Sequence, residues 1–163
     1  ADGIRLHPVV TTKYIDEEVL PNLARGAARA GRDVDEVEVC LKPLIGTAPD
    51  EAQLEQVIRT VRARCAFYLS TPSYRRAFAI HGWEDRAREA SEYSRAGRWE
   101  EMPDLVDDDM LHTIATIGTY DQIADKLNER FASRLDRVEF SVPVNSPEDA
   151  EAFREILGRL ERS

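Results

Sequence analysis

Val37-Glu38-Val39-Cys40-Leu41-Lys42-Pro43-Leu44-Ile45-Gly46 opens with strict alternation of apolar and polar side chains. Val37, Val39 and Leu41 point one way; Glu38, Cys40 and Lys42 point the other. A period of two is the mark of a strand with two unlike faces. Pro43, which has no N–H to give, and Gly46 are read as its end. The polar face decides the architecture. A central strand of an open doubly wound sheet carries helices on both faces and is apolar on both. A strand that is polar inside and apolar outside, where helices cover it, suits a (β/α) barrel whose interior lines a site.

The same alternation recurs at both ends of the chain. Ala1-Asp2-Gly3-Ile4-Arg5-Leu6-His7-Pro8 places a turn pair before Ile4, Arg5, Leu6 and His7. Arg137-Val138-Glu139-Phe140-Ser141-Val142 puts Val138, Phe140 and Val142 on one face and Glu139 and Ser141 on the other. Helices are expected between these strands. One runs from about Ile15 to Ala30, with Pro21 as a kink or first turn and Gly31 as its stop. A long one follows Asp50, an N-cap with Gln53 three residues on. Residues 70–117 carry no strand pattern and read as short helices joined by Gly82, Gly97 and Pro103. A further helix is expected from an N-cap at Thr119 with Gln122 at the third position. The last starts at Ser146-Pro147, with Phe153, Ile156, Leu157 and Leu160 as its stripe.

The order is therefore β, α, β, α, a helical insertion, then α, β, α. Such alternation implies an α/β fold with parallel strands and right-handed crossovers. The expectation is three adjacent parallel strands near 3–7, 37–42 and 137–142. Three strands cannot close a barrel that needs eight.

Composition excludes some functions. A net charge of −9 repels phosphate backbones and anionic lipids, so neither nucleic acid nor a membrane surface is an expected partner. No apolar run reaches the roughly 20 residues of a spanning helix. Cys40 and Cys65 have no metal-ligand spacing and read as thiols in a reducing cytoplasm.

In order and spacing, "ADGIRLHP", the helix ending "ARAGR", "VEVCLKPLIG", "AFYLSTPSYR" with "IHGW", "SRAGRWEEMPDLVDDDML" and "IGTYDQIADKL" resemble the C-terminal half of luciferase-like monooxygenases. The branch they most resemble comprises probable oxidoreductases of the deazaflavin coenzyme F420. The resemblance implies about strands 6 to 8 of a (β/α)8 TIM barrel, with a helical insertion after the second strand present. On it, residues 1–163 are a partial barrel domain lacking its N-terminal half, and "DGIRLH" resembles the sixth strand. It also implies hydride transfer between F420, or alternatively FMN, and a small organic substrate. Catalytic residues are then expected in the absent half, and the fragment alone is expected to be inactive. Two other readings stand beside it: a non-catalytic α/β module that keeps only the fold, and a barrel enzyme acting on a phosphorylated substrate.

Barrel chemistry sits at the C-terminal ends of strands. There, His7 and Lys42 are candidates for cofactor contact and Ser141 for substrate contact. Thr11, Thr12 and Lys13 follow the first strand and supply two hydroxyls and a cation to a hydroxylated or anionic substrate. In the insertion, Tyr68, Ser70, Thr71 and Arg75 are cofactor-binding candidates, with Phe67 and Arg76 beside them. Deeper on the inner face, Arg5, Glu38 and Glu139 have the parity and signs of an ion cluster. Asp107, Asp108 and Asp109 precede His112, but consecutive carboxylates on a helix start point in different directions, and the helix dipole accounts for them. Trp83 and Trp99 read as packing anchors.

Overall fold

A computed structural model describes residues 1–160. In chain order the regular elements begin with β1 (Gly3–Leu6), the single turn α1 (Thr12–Tyr14), a π-helical turn (Ile15–Val19) and α2 (Leu20–Ala30). They continue with β2 (Glu38–Leu41), β3 (Leu44–Ala48), α3 (Glu51–Ser70), α4 (Arg75–Ala79), α5 (Glu84–Arg95) and α6 (Asp108–Ile114). The last are β4 (Ala115–Thr119), α7 (Ile123–Phe131), β5 (Arg137–Val138) and α8 (Pro147–Leu160).

The three strands expected from alternation form one parallel sheet in the order β1-β2-β5. Ile4 pairs with Val39 and Arg5 with Cys40; Leu41 pairs with Val138. The third strand is shorter than expected: its regular pairing stops at Val138, with one more bond from Glu139 N to Leu41 O at 2.8 Å. The outer face packs Leu6, Val39 and Leu41 against Ile123, Leu127, Phe131, Phe153 and Ile156 of α7 and α8. The inner face carries Arg5, Cys40 and Glu139.

Two strands were not anticipated. The chain does not leave the sheet for good at Pro43. It resumes as β3, which runs parallel to β4 with Leu44 opposite Ala115 and Ala48 opposite Thr119. Pro43 interrupts the ladder because it has no N–H to donate. Gly46 does not end the strand; it lets α3 approach. A Cβ there would lie 3.1 Å from Val61 Cγ2. The β3-β4 pair and α3 enclose a second core that also takes in Phe78, Ala87, Met102 and Leu111 of the insertion.

The helix starts are mostly as expected. Asp50 accepts from Gln53 N at 2.8 Å, and Ser146 Oγ accepts from Asp149 N at 3.0 Å. Thr119 is a correction. It ends β4, and α7 begins four residues later. The capping contacts nevertheless form around the turn: Gln122 Oε1 accepts from Thr119 N at 3.4 Å, and the Thr119 hydroxyl donates to the Asp121 carboxylate. The first helical segment also starts earlier than expected, at Thr12, and passes through a π turn before Pro21 takes up the first turn of α2.

The ion pair on the inner face is present. Arg5 Nε and Nη2 donate to the two carboxylate oxygens of Glu139 at 2.6 and 2.5 Å. Glu38 pairs instead with Arg137 at 3.1 Å. The side chains of Arg5 and Glu139 are 60% and 36% exposed, so solvent screens the pair. Arg5→Ala is accordingly expected to leave the urea midpoint nearly unchanged. A large loss, insensitive to about 0.5 M salt, where the screening length is only roughly 4 Å, would contradict that.

Candidate cofactor and substrate site

His7 follows directly on β1, at the edge of the insertion. Its ring stacks on Tyr74, with centroids 4.4 Å apart and planes at 26°, and meets Tyr68 edge-on at 5.2 Å. Tyr68 and Tyr74 are themselves edge-to-face at 5.7 Å, and Phe67 continues the group at 5.6 Å from Tyr68. Partial burial among these rings holds the His7 pKa below the ordinary histidine value. Nδ1 accepts from Val9 N at 3.4 Å, which leaves the proton of the neutral ring on Nε2. The result is an aromatic wall with one N–H donor, at the C-terminal end of a strand.

This wall depends on α3. Its Asp50 cap and 20-residue length carry Phe67 and Tyr68 from the end of β3 across to the end of β1. Ser70 and Thr71 lock the helix end. Both hydroxyls donate to Phe67 O, at 2.7 and 3.0 Å, and Ser70 is buried. Their protons are thereby occupied within the helix terminus. Tyr74, which the sequence reading did not single out, stands in the turn just after. An aromatic residue six positions beyond Tyr68, across Thr71-Pro72, was the available signal.

The loop after β1 divides its three polar residues. Thr11 is fully buried; its Oγ1 accepts from Tyr14 N at 3.2 Å and lies 2.8 Å from His81 Nε2. Lys13 Nζ donates to Ile80 O at 2.8 Å. Thr12 lines a separate groove with β4 and α7. Lys42 is half-buried beyond β2, where its charge adds to that of Arg5 in holding the Glu139 carboxyl below the usual carboxylate range; the Arg5 hydrogen bond is the larger cause. Arg75 opens α4 and is exposed, with no ion pair among the described residues.

Ser141 belongs to a different cleft. It lines a space of about 720 Å3 between the free edge of β3, α3 and the start of α8. Thr47 lines the same cleft, and its buried hydroxyl has no hydrogen-bond partner among the described residues. Tyr120 donates there to Asp149 at 2.7 Å; burial and that carboxylate push its pKa up to about 12. Thus His7 and Tyr68 come together, while Ser141 stands apart from them. The acidic run serves α6: Asp107 accepts from Met110 N at 2.8 Å, and Asp108 pairs with Arg62.

Parallel βα units with an aromatic group at the end of a strand define a segment of an α/β fold. Residues 1–137 match the family model for luciferase-like monooxygenases, and the chain belongs to that family. Uncharacterized proteins of Mycobacterium tuberculosis and Mycobacterium bovis are 41% identical to it over 138 residues, which is 85% of this chain and 41% of theirs. A 5,10-methylenetetrahydromethanopterin reductase of Methanopyrus kandleri is 26% identical over 161 residues, 98% of this chain and 44% of that protein. The solved structure of the coenzyme F420-dependent tetrahydromethanopterin reductase of the same organism superimposes with a TM-score of 0.72 at 25% identity. That match covers 97% of this chain and 44% of the other. The chain therefore spans less than half the length of the relatives it matches, and it is a partial domain. Among the described residues no helix is long and apolar enough to cross a membrane.

Proposed function

We propose that this chain is the strand 6 to 8 portion of a cytoplasmic oxidoreductase that moves a hydride between coenzyme F420 and a small organic substrate. The observation that carries the reading is the aromatic wall of His7, Tyr68 and Tyr74 at a strand end, in a chain that superimposes almost whole on an F420-dependent reductase. The donor set fits such a group. A planar heteroaromatic ring suits the faces of Tyr68 and Tyr74. The Nε2–H of His7 suits a ring oxygen. Arg75, exposed and next in the chain to Tyr74, is a cation for an anionic tail, and Lys42 at the end of β2 is a second candidate. When bound, the deazaflavin supplies the hydride chemistry, and the protein's part is position and electrostatics. Lys13, bonded to Ile80 O of the insertion, stays on the substrate side of the reading, whereas Thr12 and Ser141 line clefts of their own; Thr11 and Ser70 act on it through the backbone they hold. The rest of the cradle, and the acid or base, come from the remainder of the barrel.

Fluorescence titration of the full-length protein that carries this chain tests the proposal. His7→Ala and Tyr74→Ala are each expected to weaken F420 binding by about tenfold, the value of one well-packed aromatic contact. Wild-type affinity in both variants would overturn the assignment of the wall. Tighter binding of FMN than of F420 would move the reading to a flavin enzyme.

A further inference from the structure

The loop after β1 is gripped at two points by the insertion. His7 is held by Tyr74 and Tyr68, and Thr11 meets His81. The first contact belongs to the proposed cofactor wall. The second touches no cleft assigned above, yet it places a titratable ring against a fully buried hydroxyl.

We infer that His81 is a positioning residue, a protonation-sensitive clasp that holds the insertion onto the β1–α1 loop through the Thr11 hydroxyl. Thr11 Oγ1 already accepts from Tyr14 N, which caps α1. With a neutral His81 unprotonated at Nε2, the Thr11 hydroxyl donates to that nitrogen, and both of its roles are filled. Protonation turns Nε2 into a donor. The Thr11 oxygen must then accept twice, and its own proton is left in a buried place without that acceptor.

The surroundings favour the neutral ring. His81 stacks on Trp83 with centroids 4.4 Å apart and planes at 19°. Burial lowers its pKa, and Lys13 lowers it further; Glu17 on the π turn acts in the opposite sense. The Lys13 ammonium is fixed in place by Ile80 O, next to His81 in the chain. Tyr14, Glu18 and Arg76 complete the charged and titratable groups of the neighbouring surface around Ile80. Because the pKa is lowered when the clasp is closed, the closed state binds fewer protons than the open one. Its stability is present above the ordinary histidine value of 6.5 and declines as pH falls through that value toward the lowered one.

The clasp stands on the Thr11–His81 contact and the His81–Trp83 stack; its bearing on F420 rests on the reading of the wall. Tyr74 begins the same short stretch that ends at His81, so release of His81 frees the stretch that stacks on His7.

Hydrogen exchange on the full-length protein, without cofactor, tests the clasp. Corrected for intrinsic rates, protection over residues 72–83 is expected to fall between about pH 7.5 and about pH 5.5, by at most about tenfold, the ceiling that an ordinary histidine pKa of 6.5 sets at the lower pH. His81→Gln keeps a polar atom near Thr11 but does not titrate, and it is expected to flatten that dependence. Thr11→Val is expected to lower protection at every pH. Unchanging protection in the wild type, or an unaltered slope in His81→Gln, would overturn the inference. If His81→Gln does not fold, the wild-type imidazole resonance decides: a titration midpoint below 6.5 supports the clasp, and one at or above it does not. No step of this test requires F420 binding, so failure of one reading leaves the other distinguishable.

Discussion

The 163-residue chain alone is expected to give no turnover when supplied with F420 or FMN and alcohol or aldehyde substrates. The sheet has two bare edges. β1 and β5 each pair only with β2 among the described residues. An unpaired edge recruits other strands. The inner face is open as well, since Arg5 is 60% exposed where a closed barrel would cover it. Apolar side chains follow the same boundary: Ile4 on β1, Val144 after β5 and Leu157 on α8 are all exposed. At roughly 25 cal/mol per Å2, every 400 Å2 or so of apolar surface left wet forgoes about 10 kcal/mol, comparable with the net stability of a domain. The chain is thus expected to associate with itself, or with the complementary segment of the barrel when that is supplied, and the net charge of −9 slows aggregation without covering an edge. Light scattering after size exclusion, run beside the activity assay, checks both parts. Steady hydride transfer by an 18.5 kDa monomer would refute the division of labour between this segment and the rest of the barrel.

The sheet was legible in the sequence where one face is polar. Alternation in Ile4–His7, Val37–Lys42 and Val138–Val142 located three strands, and parity put Arg5 on one face with Glu38 and Glu139, of which Glu139 is its partner. The β3-β4 pair was hidden for the complementary reason. β4 is Ala115-Thr116-Ile117-Gly118-Thr119, every residue of it buried. A short strand covered on both faces has no period of two to read. β3 lay behind a proline and around a glycine, both of which ordinarily signal an end. The site was legible only in part. Strand ends pointed to His7, and the insertion's aromatic pair pointed to Tyr68, but no local pattern says that a helix of 20 residues brings them together. Nor does residue type show which hydroxyls are already occupied. Thr11 and Ser70 look available in the sequence and are buried in the fold, bonded to His81 and to a helix carbonyl.

Arg130→Met is expected to be the most destabilising single change on the surface of α7. Arg130 Nη1 donates to His112 O at 2.9 Å and Ala115 O at 2.6 Å, and Nη2 donates to Thr113 O at 2.5 Å. It makes no ion pair with a carboxylate among the described residues. Its acceptors are the last carbonyls of α6, which no helix can satisfy within itself, and the first carbonyl of β4. The positive charge also sits where the dipole of α6 is negative. Burial lowers the Arg130 pKa, yet a guanidinium stays charged at any working pH, so the contact does not titrate away. Methionine fills similar volume but donates nothing, leaving three carbonyls with reduced or no pairing. The bond to His112 O is exposed and those to Ala115 O and Thr113 O are part-buried; at about 1–3 kcal/mol for each of the latter two left unmade, the loss is expected to reach about 3 kcal/mol. For a domain of this size that is a fall in Tm of roughly 6–12 °C. Lys126 is the internal comparison. It also bonds the β4 edge, at Ile117 O and 2.9 Å, but from an exposed, flexible stem, and Lys126→Met is expected to cost under about 1 kcal/mol. Equal melting of the two variants in the full-length protein would mean that the α6–β4 corner does not depend on Arg130.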